Sequence, residues 1–277
     1  MPLDSDFFVK FWGVRGSIPC PGPDTAIYGG NTPCVEIRCG SNVLIFDAGT
    51  GIRPLGNILA ADNVRDVDLF LTHTHLDHIN GFPMFNFLFD DKNQLKIWAG
   101  RREVWSSIKD IFEKFMAPPI WPLSIENLGA EIIFSDFEIG QVFSPKPGII
   151  IRTVNLNHPQ GAVGYRVDFS GKSICYVTDT EHAKDCRDQN ILKLIEGADI
   201  VIYDASFTDE EYPNFVGWGH STWQEGVRLC TDAGAQRLAV FHHLPGRSDD
   251  ELAIIDSSVG VLLPGSVVAR EGMVLAP

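Results

Sequence analysis

The chain has no two cysteines in a CxxC spacing, no run of 18 apolar residues, and no basic run longer than Arg101-Arg102. Each absence excludes something. Without CxxC pairs, the six cysteines give no sign of a redox motif, and Cys34, Cys175 and Cys230, in apolar-rich segments, read as small buried hydrophobes. A reduced, cytoplasmic protein without disulfides is expected. Without a long apolar run there is no transmembrane helix. The opening residues Met1 to Asp6 are acidic and lack the basic and apolar regions of a signal peptide. Basic residues are scarce overall: 22 Lys plus Arg face 36 Asp plus Glu, a formal charge of −14. That balance argues against holding nucleic acid on a broad basic face, because phosphate affinity comes mainly from Lys and Arg.

What is present is an ordinary globular composition, 44% hydrophobic and 21% charged over 277 residues, which leaves no room for a disordered or coiled-coil reading. Strand-like runs recur at 7–12, 35–38, 43–46, 68–72, 95–98, 131–134, 149–154, 164–169, 173–178, 200–203 and 237–241. Helical periodicity covers roughly 102–116, ending before Pro118-Pro119, and roughly 184–196. Thr222 to Glu225 and Ser248 to Glu251 read as capping boxes opening two more helices, the first stopping near Gly234. No linker, composition shift or repeat divides the chain. One domain over 1–277 is expected, with two packed sheets and helices outside them. The Pro-rich stretch 117–129 is a long loop, either a surface connection or a lid.

Chemistry concentrates in Leu71-Thr72-His73-Thr74-His75-Leu76-Asp77-His78. Three histidines in six positions, in a chain with only 8, are not scattered by chance. The apolar run before them puts the cluster at the exit of a buried strand, where a tight loop can aim several imidazoles at one spot. Imidazole with carboxylate suits zinc, iron or manganese. Further metal-type residues follow other strands: His158, Asp179, Asp204, and the pair His242-His243, with His220 just before the capped helix. Strand alternation puts His242 and His243 on opposite faces, which leaves one of the pair, either His243 or His242, for the site. His182, inside a polar segment, reads as a surface residue. Asp47 either orders a turn or supports the metal histidines. Arg15, Asn31 and Thr32, in Gly/Pro-rich loops, are candidate substrate contacts.

These motifs, with Gly13-Val14-Arg15-Gly16-Ser17 and Phe46-Asp47-Ala48-Gly49-Thr50-Gly51, resemble the metallo-β-lactamase-fold hydrolases over nearly the whole chain. The resemblance implies an α/β four-layer αββα sandwich with two metals at one edge. It assigns His73, His75 and His158 to one metal, Asp77, His78 and His243 to the other, and Asp179 to a bridge. Asp204-Ala205-Ser206-Phe207 and Gly219-His220-Ser221-Thr222 are similar to the phosphodiesterase branch, which includes transfer-RNA 3′-processing endonucleases and small cyclic phosphodiesterases. In that branch the acid orients the histidine, which serves the leaving group. Asp204 stands where the endonucleases have Glu. Their long Gly/Pro-rich basic arm is missing, and so is the cysteine-rich zinc site of the phosphoribosyl cyclic phosphodiesterases.

The expected catalytic set is therefore His220, Asp204 and Asp77, with two divalent ions as cofactor, zinc before manganese or iron. Two such ions share a hydroxide and polarise a phosphoryl oxygen, and His220 protonates the departing alkoxide. Its place before the Thr222 helix suggests a phosphate held at the helix entrance. The expected partner is a small phosphodiester, not nucleic acid or a membrane, with a homodimer left open. The alternatives are an RNA-processing endonuclease, a thioesterase or lactonase of the same fold, and a metal-bound sensing or partner-binding protein.

Overall fold

The computed structural model describes residues 6–102, 107–184 and 186–277. Two seven-stranded mixed sheets form its centre. The first contains β1 (Phe7–Gly13), β2 (Cys34–Cys39), β3 (Asn42–Phe46), β4 (Asp66–Leu71), β5 (Gln94–Gly100), β6 (Glu131–Phe137) and β14 (Val274–Leu275), in the order β14-β1-β2-β3-β4-β5-β6. The second contains β7 (Val142–Phe143), β8 (Ile149–Leu156), β9 (Ala162–Phe169), β10 (Lys172–Val177), β11 (Ile200–Asp204), β12 (Leu238–Phe241) and β13 (Val267–Val268), in the order β13-β12-β11-β10-β9-β8-β7. Each sheet begins as an antiparallel meander and continues as parallel strands, β3 to β6 in one and β10 to β13 in the other. The sequence carries no repeat, yet the two halves repeat one topology.

The inner faces of both sheets bury one core that includes Phe11, Phe46, Phe70, Tyr165, Tyr176 and Phe241. Phe46 stacks on Phe70 at 5.2 Å and meets Tyr165 and Tyr176 edge-on. Truncating it to alanine costs roughly 3–5 kcal/mol. Outside the first sheet lie α1 (Ile52–Ala61), α2 (Leu76–Ile79) and α3 (Ile108–Phe115); outside the second lie α4 (Gln189–Ile195), α5 (Trp223–Ala233) and α6 (Asp249–Leu262), each set over its own apolar layer.

All eleven expected strands are present; β7, β13 and β14, with two residues each, are too short to show a period. The 102–116 helix is shorter than its periodicity suggests. Ser107 caps α3 by accepting the Asp110 N–H, and Val104 lies outside the described residues. Likewise Asp188 caps α4, so that helix starts at Gln189 rather than near 184. Thr222 accepts from the Glu225 N–H, and Gly234 ends α5 at φ 66°. Ser248 and Glu251 form a reciprocal capping box on α6. Helix α1 was hidden by Pro54 and Gly56. Pro54 sits in the first turn, where its missing N–H has no intrahelical partner to lose. Gly56 admits Asn86, whose Oδ1 lies 2.3 Å from where a Cβ would be. All six cysteines are free. Among the described residues no helix is long and apolar enough to cross a membrane.

Candidate metal centre

The cluster forms where strands leave both sheets at their carboxyl ends, the usual ligand edge of layered α/β folds. β3 delivers Asp47, β4 the segment 72–78, β8 His158, β10 Asp179, β11 Asp204 and β12 His242. Three of these turn out of their strands in the left-handed region: Asp47 at φ 61°, Asp179 at φ 58° and His242 at φ 61°. Non-glycine residues adopt that region at a cost and concentrate at functional sites.

That turn overturns the reading of the His242-His243 pair. Alternation predicts the face of a residue only while the strand lasts, and β12 ends at Phe241. The left-handed His242 swings its ring into the cluster, with Nε2 3.4 Å from both Asp77 Oδ2 and Asp179 Oδ2. His243 points away. Its Nε2–H donates to Ala269 O at 2.8 Å, and its ring packs edge-on against Tyr28. Burial pushes its pKa down to about 3. Gly16 makes the His242 position available: a Cβ there would sit 2.5 Å from the ring.

The other expected ligands do converge. Among the described residues five groups of three have ligand atoms within 4.8 Å of one another: His73-His75-His158, His73-His78-Asp179, Asp77-His78-His242, His158-Asp179-His220 and Asp204-His220-His242. The hydrogen bonds assign the protons. His158 Nδ1–H donates to Gly219 O at 2.7 Å, and His75 Nε2–H to Gln160 Oε1 at 2.9 Å. His78 Nδ1–H donates to Asp47 Oδ2 at 2.8 Å. Each ring thus turns a lone pair inward. His75 Nδ1 and His158 Nε2 face each other at 3.0 Å, and His73 Nε2, His78 Nε2 and His242 Nε2 are buried without a hydrogen-bond partner. Converging lone pairs and carboxylates need a cation, so the donor set fits divalent metal ions.

Asp179 divides the cluster. Its Oδ1 lies 3.9 Å from His73 Nε2 and 3.8 Å from His158 Nε2, while Oδ2 lies 3.2 Å from His78 Nε2 and 3.4 Å from His242 Nε2. The electrostatics draw positive charge inward. Burial works against ionised carboxylates, but the surrounding imidazoles outweigh it and hold Asp77 and Asp179 well below the usual range. Burial likewise works against protonating His78, but Asp179, Asp77 and Asp47 raise its pKa well above the ordinary value, so its Nε2 takes either a proton or a cation.

Asp47 supports the cluster instead of merely ordering a turn. It accepts from the Thr72 N–H and hydroxyl, from His78, and from the Tyr176 hydroxyl at 2.9 Å. The Tyr176 contribution, made across the core, left no mark in the sequence. His220 Nδ1–H donates to Asp204 Oδ2 at 2.9 Å. Asp204 is itself fixed by the N–H groups of Thr180 and Ser206. Burial lowers the His220 pKa, but Asp204 more than offsets this and raises it to about 9.

Several expectations fail here. The start of α5 is already largely occupied, which counts against a phosphate perch there: the Thr222 hydroxyl donates to Asp209, the Trp223 N–H to Phe207 O and the Glu225 N–H to the Thr222 hydroxyl oxygen. Arg15 is fully buried, tied to the carbonyls of Gly29, Leu244 and Arg247. Asn31 bonds Glu271, and Thr32 bonds Thr50 and Asn80, so all three are loop braces. His182 is half-buried, stacked on Tyr212 at 4.1 Å and bonded to Ser221. It lines a cavity of about 760 Å³ with Glu181, Arg187 and Arg228. A second cavity of about 480 Å³ is walled by His158, Gln160 and Arg102. Neither cavity is lined by 117–129, where Trp121, Ile125 and Leu128 pack over the outer face of the first sheet.

Residues 42–243 match the model of the beta-lactamase superfamily domain. The chain belongs to that superfamily. It is similar to a ribonuclease Z from Archaeoglobus fulgidus, 23% identical over 97% of each chain. Among solved structures it is similar to the metallo-beta-lactamase fold protein YhfI from Bacillus subtilis, with TM-score 0.71 and 19% identity over 98% of this chain and 99% of that one. It is also similar to a diphosphatase of the PhnP family, with TM-score 0.69 and 16% identity over 98% of each chain. These likenesses establish a metallo-β-lactamase-fold hydrolase with the αββα sandwich.

Proposed function

We propose that the chain is a single-domain, binuclear metal-dependent phosphodiesterase acting on a small or cyclic phosphodiester in the cytoplasm. The observation that carries this reading is the His220–Asp204 pair, oriented and set against the lone-pair cluster. His73, His75 and His158 would hold one divalent ion and Asp77, His78 and His242 the other, with Asp179 between them; zinc suits these donors best, with manganese or iron also suited. When bound, such ions polarise a phosphoryl oxygen and make water a nucleophile at neutral pH. The chain's residues supply the rest. Asp77 keeps its orientation by accepting the Ser17 N–H at 2.8 Å. The His220 side chain is mostly buried, with 14% of its surface exposed, and its Nε2 makes no hydrogen bond among the described residues. Asp204 accepts Nδ1–H, which orients the ring and leaves Nε2 as the atom that would hand a proton to the departing oxygen.

The ribonuclease Z relatives favour a second reading, an RNA-processing endonuclease. Charge favours the small substrate. Of the Lys and Arg residues lining the two neighbouring cavities, Arg187 and Arg228 are already paired with Glu225, which leaves Lys184 and Arg102 outside those pairs. A track of phosphates would need several free cations; one diester needs only the cluster. With zinc-loaded protein, we expect hydrolysis of bis-p-nitrophenyl phosphate and of a cyclic or nucleotide diester, and weak activity on monoesters. Cleavage of precursor transfer RNA that falls steeply with salt, without activity on small diesters, would establish the endonuclease instead.

A further inference from the structure

Trp218 is 61% exposed, two residues before His220. A single exposed apolar residue needs no explanation, but this one stands on a turn fixed from several sides. The Glu181 carboxylate accepts the N–H of Gly217 at 2.8 Å and of Gly219 at 2.8 Å, bracketing Trp218. Both glycines are left-handed, at φ 90° and φ 84°. Gly219 lies so close to the cluster that a Cβ there would be 2.4 Å from His158 Nδ1. Its carbonyl takes the His158 proton. Phe215 braces the indole edge-on at 5.3 Å and is itself stacked on Phe207 at 4.3 Å. The protein thus holds a large aromatic face rigidly in solvent beside the reacting centre. Leu76, 63% exposed between His75 and Asp77, adds apolar surface on the cluster's own loop.

We infer that Trp218 is a stacking platform for a nucleobase, which makes the substrate a nucleotide diester; the inference rests on the phosphodiesterase reading. A rigid indole binds a flat ring at little entropic cost, and base–aromatic stacking tolerates any base because every base has a π-face. The sugar-phosphate then extends from the indole toward His220.

Calorimetry on zinc-loaded protein tests this with adenosine 5′-monophosphate and ribose 5-phosphate, which differ only in the base. Wild type should bind the nucleotide more tightly. The ratio of the two affinities should fall about tenfold in W218A, by stacking removal, and hold in W218F, which keeps a flat ring. An unchanged ratio in W218A, or no nucleotide binding up to millimolar, overturns the inference. Nucleotide binding that is absent while tetraadenylate binds with steep salt dependence overturns it in favour of an RNA end. Parallel assays with bis-p-nitrophenyl phosphate separate the two readings: inactivity there defeats the phosphodiesterase, while the affinity ratio still reports on the platform.

Discussion

His242 and His243 are adjacent, equally buried and chemically identical, yet they do opposite things. His242 turns a bare Nε2 toward two carboxylates; His243 gives its Nε2 proton to a backbone carbonyl and stays neutral in a wall of the fold. One left-handed backbone residue separates the two fates. Position relative to a strand's last hydrogen bond, not residue type, decides whether a histidine becomes a ligand or a brace. The largest effect should therefore come from His242→Ala. It removes a donor from the cluster, and we expect metal affinity to drop by more than the roughly 10–100-fold typical of supporting residues, with activity lost alongside. Elemental analysis after dialysis should show less than the wild-type content, while His243→Gln retains the full complement. The reverse pattern would return the ligand role to His243.

The same contrast shows what the sequence could reveal. The His73 to His78 segment was legible because several donors crowd a loop just past an apolar strand. Asp179 and Asp204 were legible because each closes a run of β-formers. His242 was not, because alternation cannot say where a strand stops or that its next residue takes a positive φ. The supporting contacts of Tyr176 on Asp47 and of Glu181 on the Trp218 turn join residues 129 and 38 positions apart. Long-range pairing of that kind leaves no local pattern. The topological repeat of the two sheets was invisible for a related reason: strand direction and order are set by packing, and very different apolar residues fill equivalent places.

A second comparison within the cluster is between groups that hold metal and a group that moves a proton. His220→Ala should keep its metals, since the remaining donors still surround both sides of Asp179, and lose about 10²–10⁴-fold in kcat. The loss should be smaller on p-nitrophenyl esters than on alkyl esters, because p-nitrophenolate departs without a proton. Equal losses on both would make His220 a ligand or a brace. Asp47→Ala should fall between the two classes. It leaves every donor atom in place but releases the His78 proton from its acceptor, so we expect metal affinity to weaken by about 10–100-fold, with the chemical step recovered at saturating metal. A kcat deficit persisting in excess metal would show that Asp47 acts on the reaction itself.

The smallest effect sharpens the His243 side. Its Nδ1 is buried with no hydrogen-bond partner among the described residues, so a proton there has no acceptor to meet. Burial lowers its pKa to about 3, against roughly 6.5 in an unfolded chain. Between those values the unfolded state binds the proton and the folded state does not. The contribution of this residue is then complete above the unfolded pKa and shrinks as pH falls toward 3, by about 1.4 kcal/mol per pH unit. His243→Gln keeps a donor for Ala269 O and cannot titrate. Denaturant midpoints of metal-stripped wild type and His243→Gln, compared from pH 7 to pH 5, should therefore converge or cross as the wild type loses stability faster. Parallel curves would mean that His243 takes up a proton in the folded state, and the distinction between the two neighbours would then rest on direction alone.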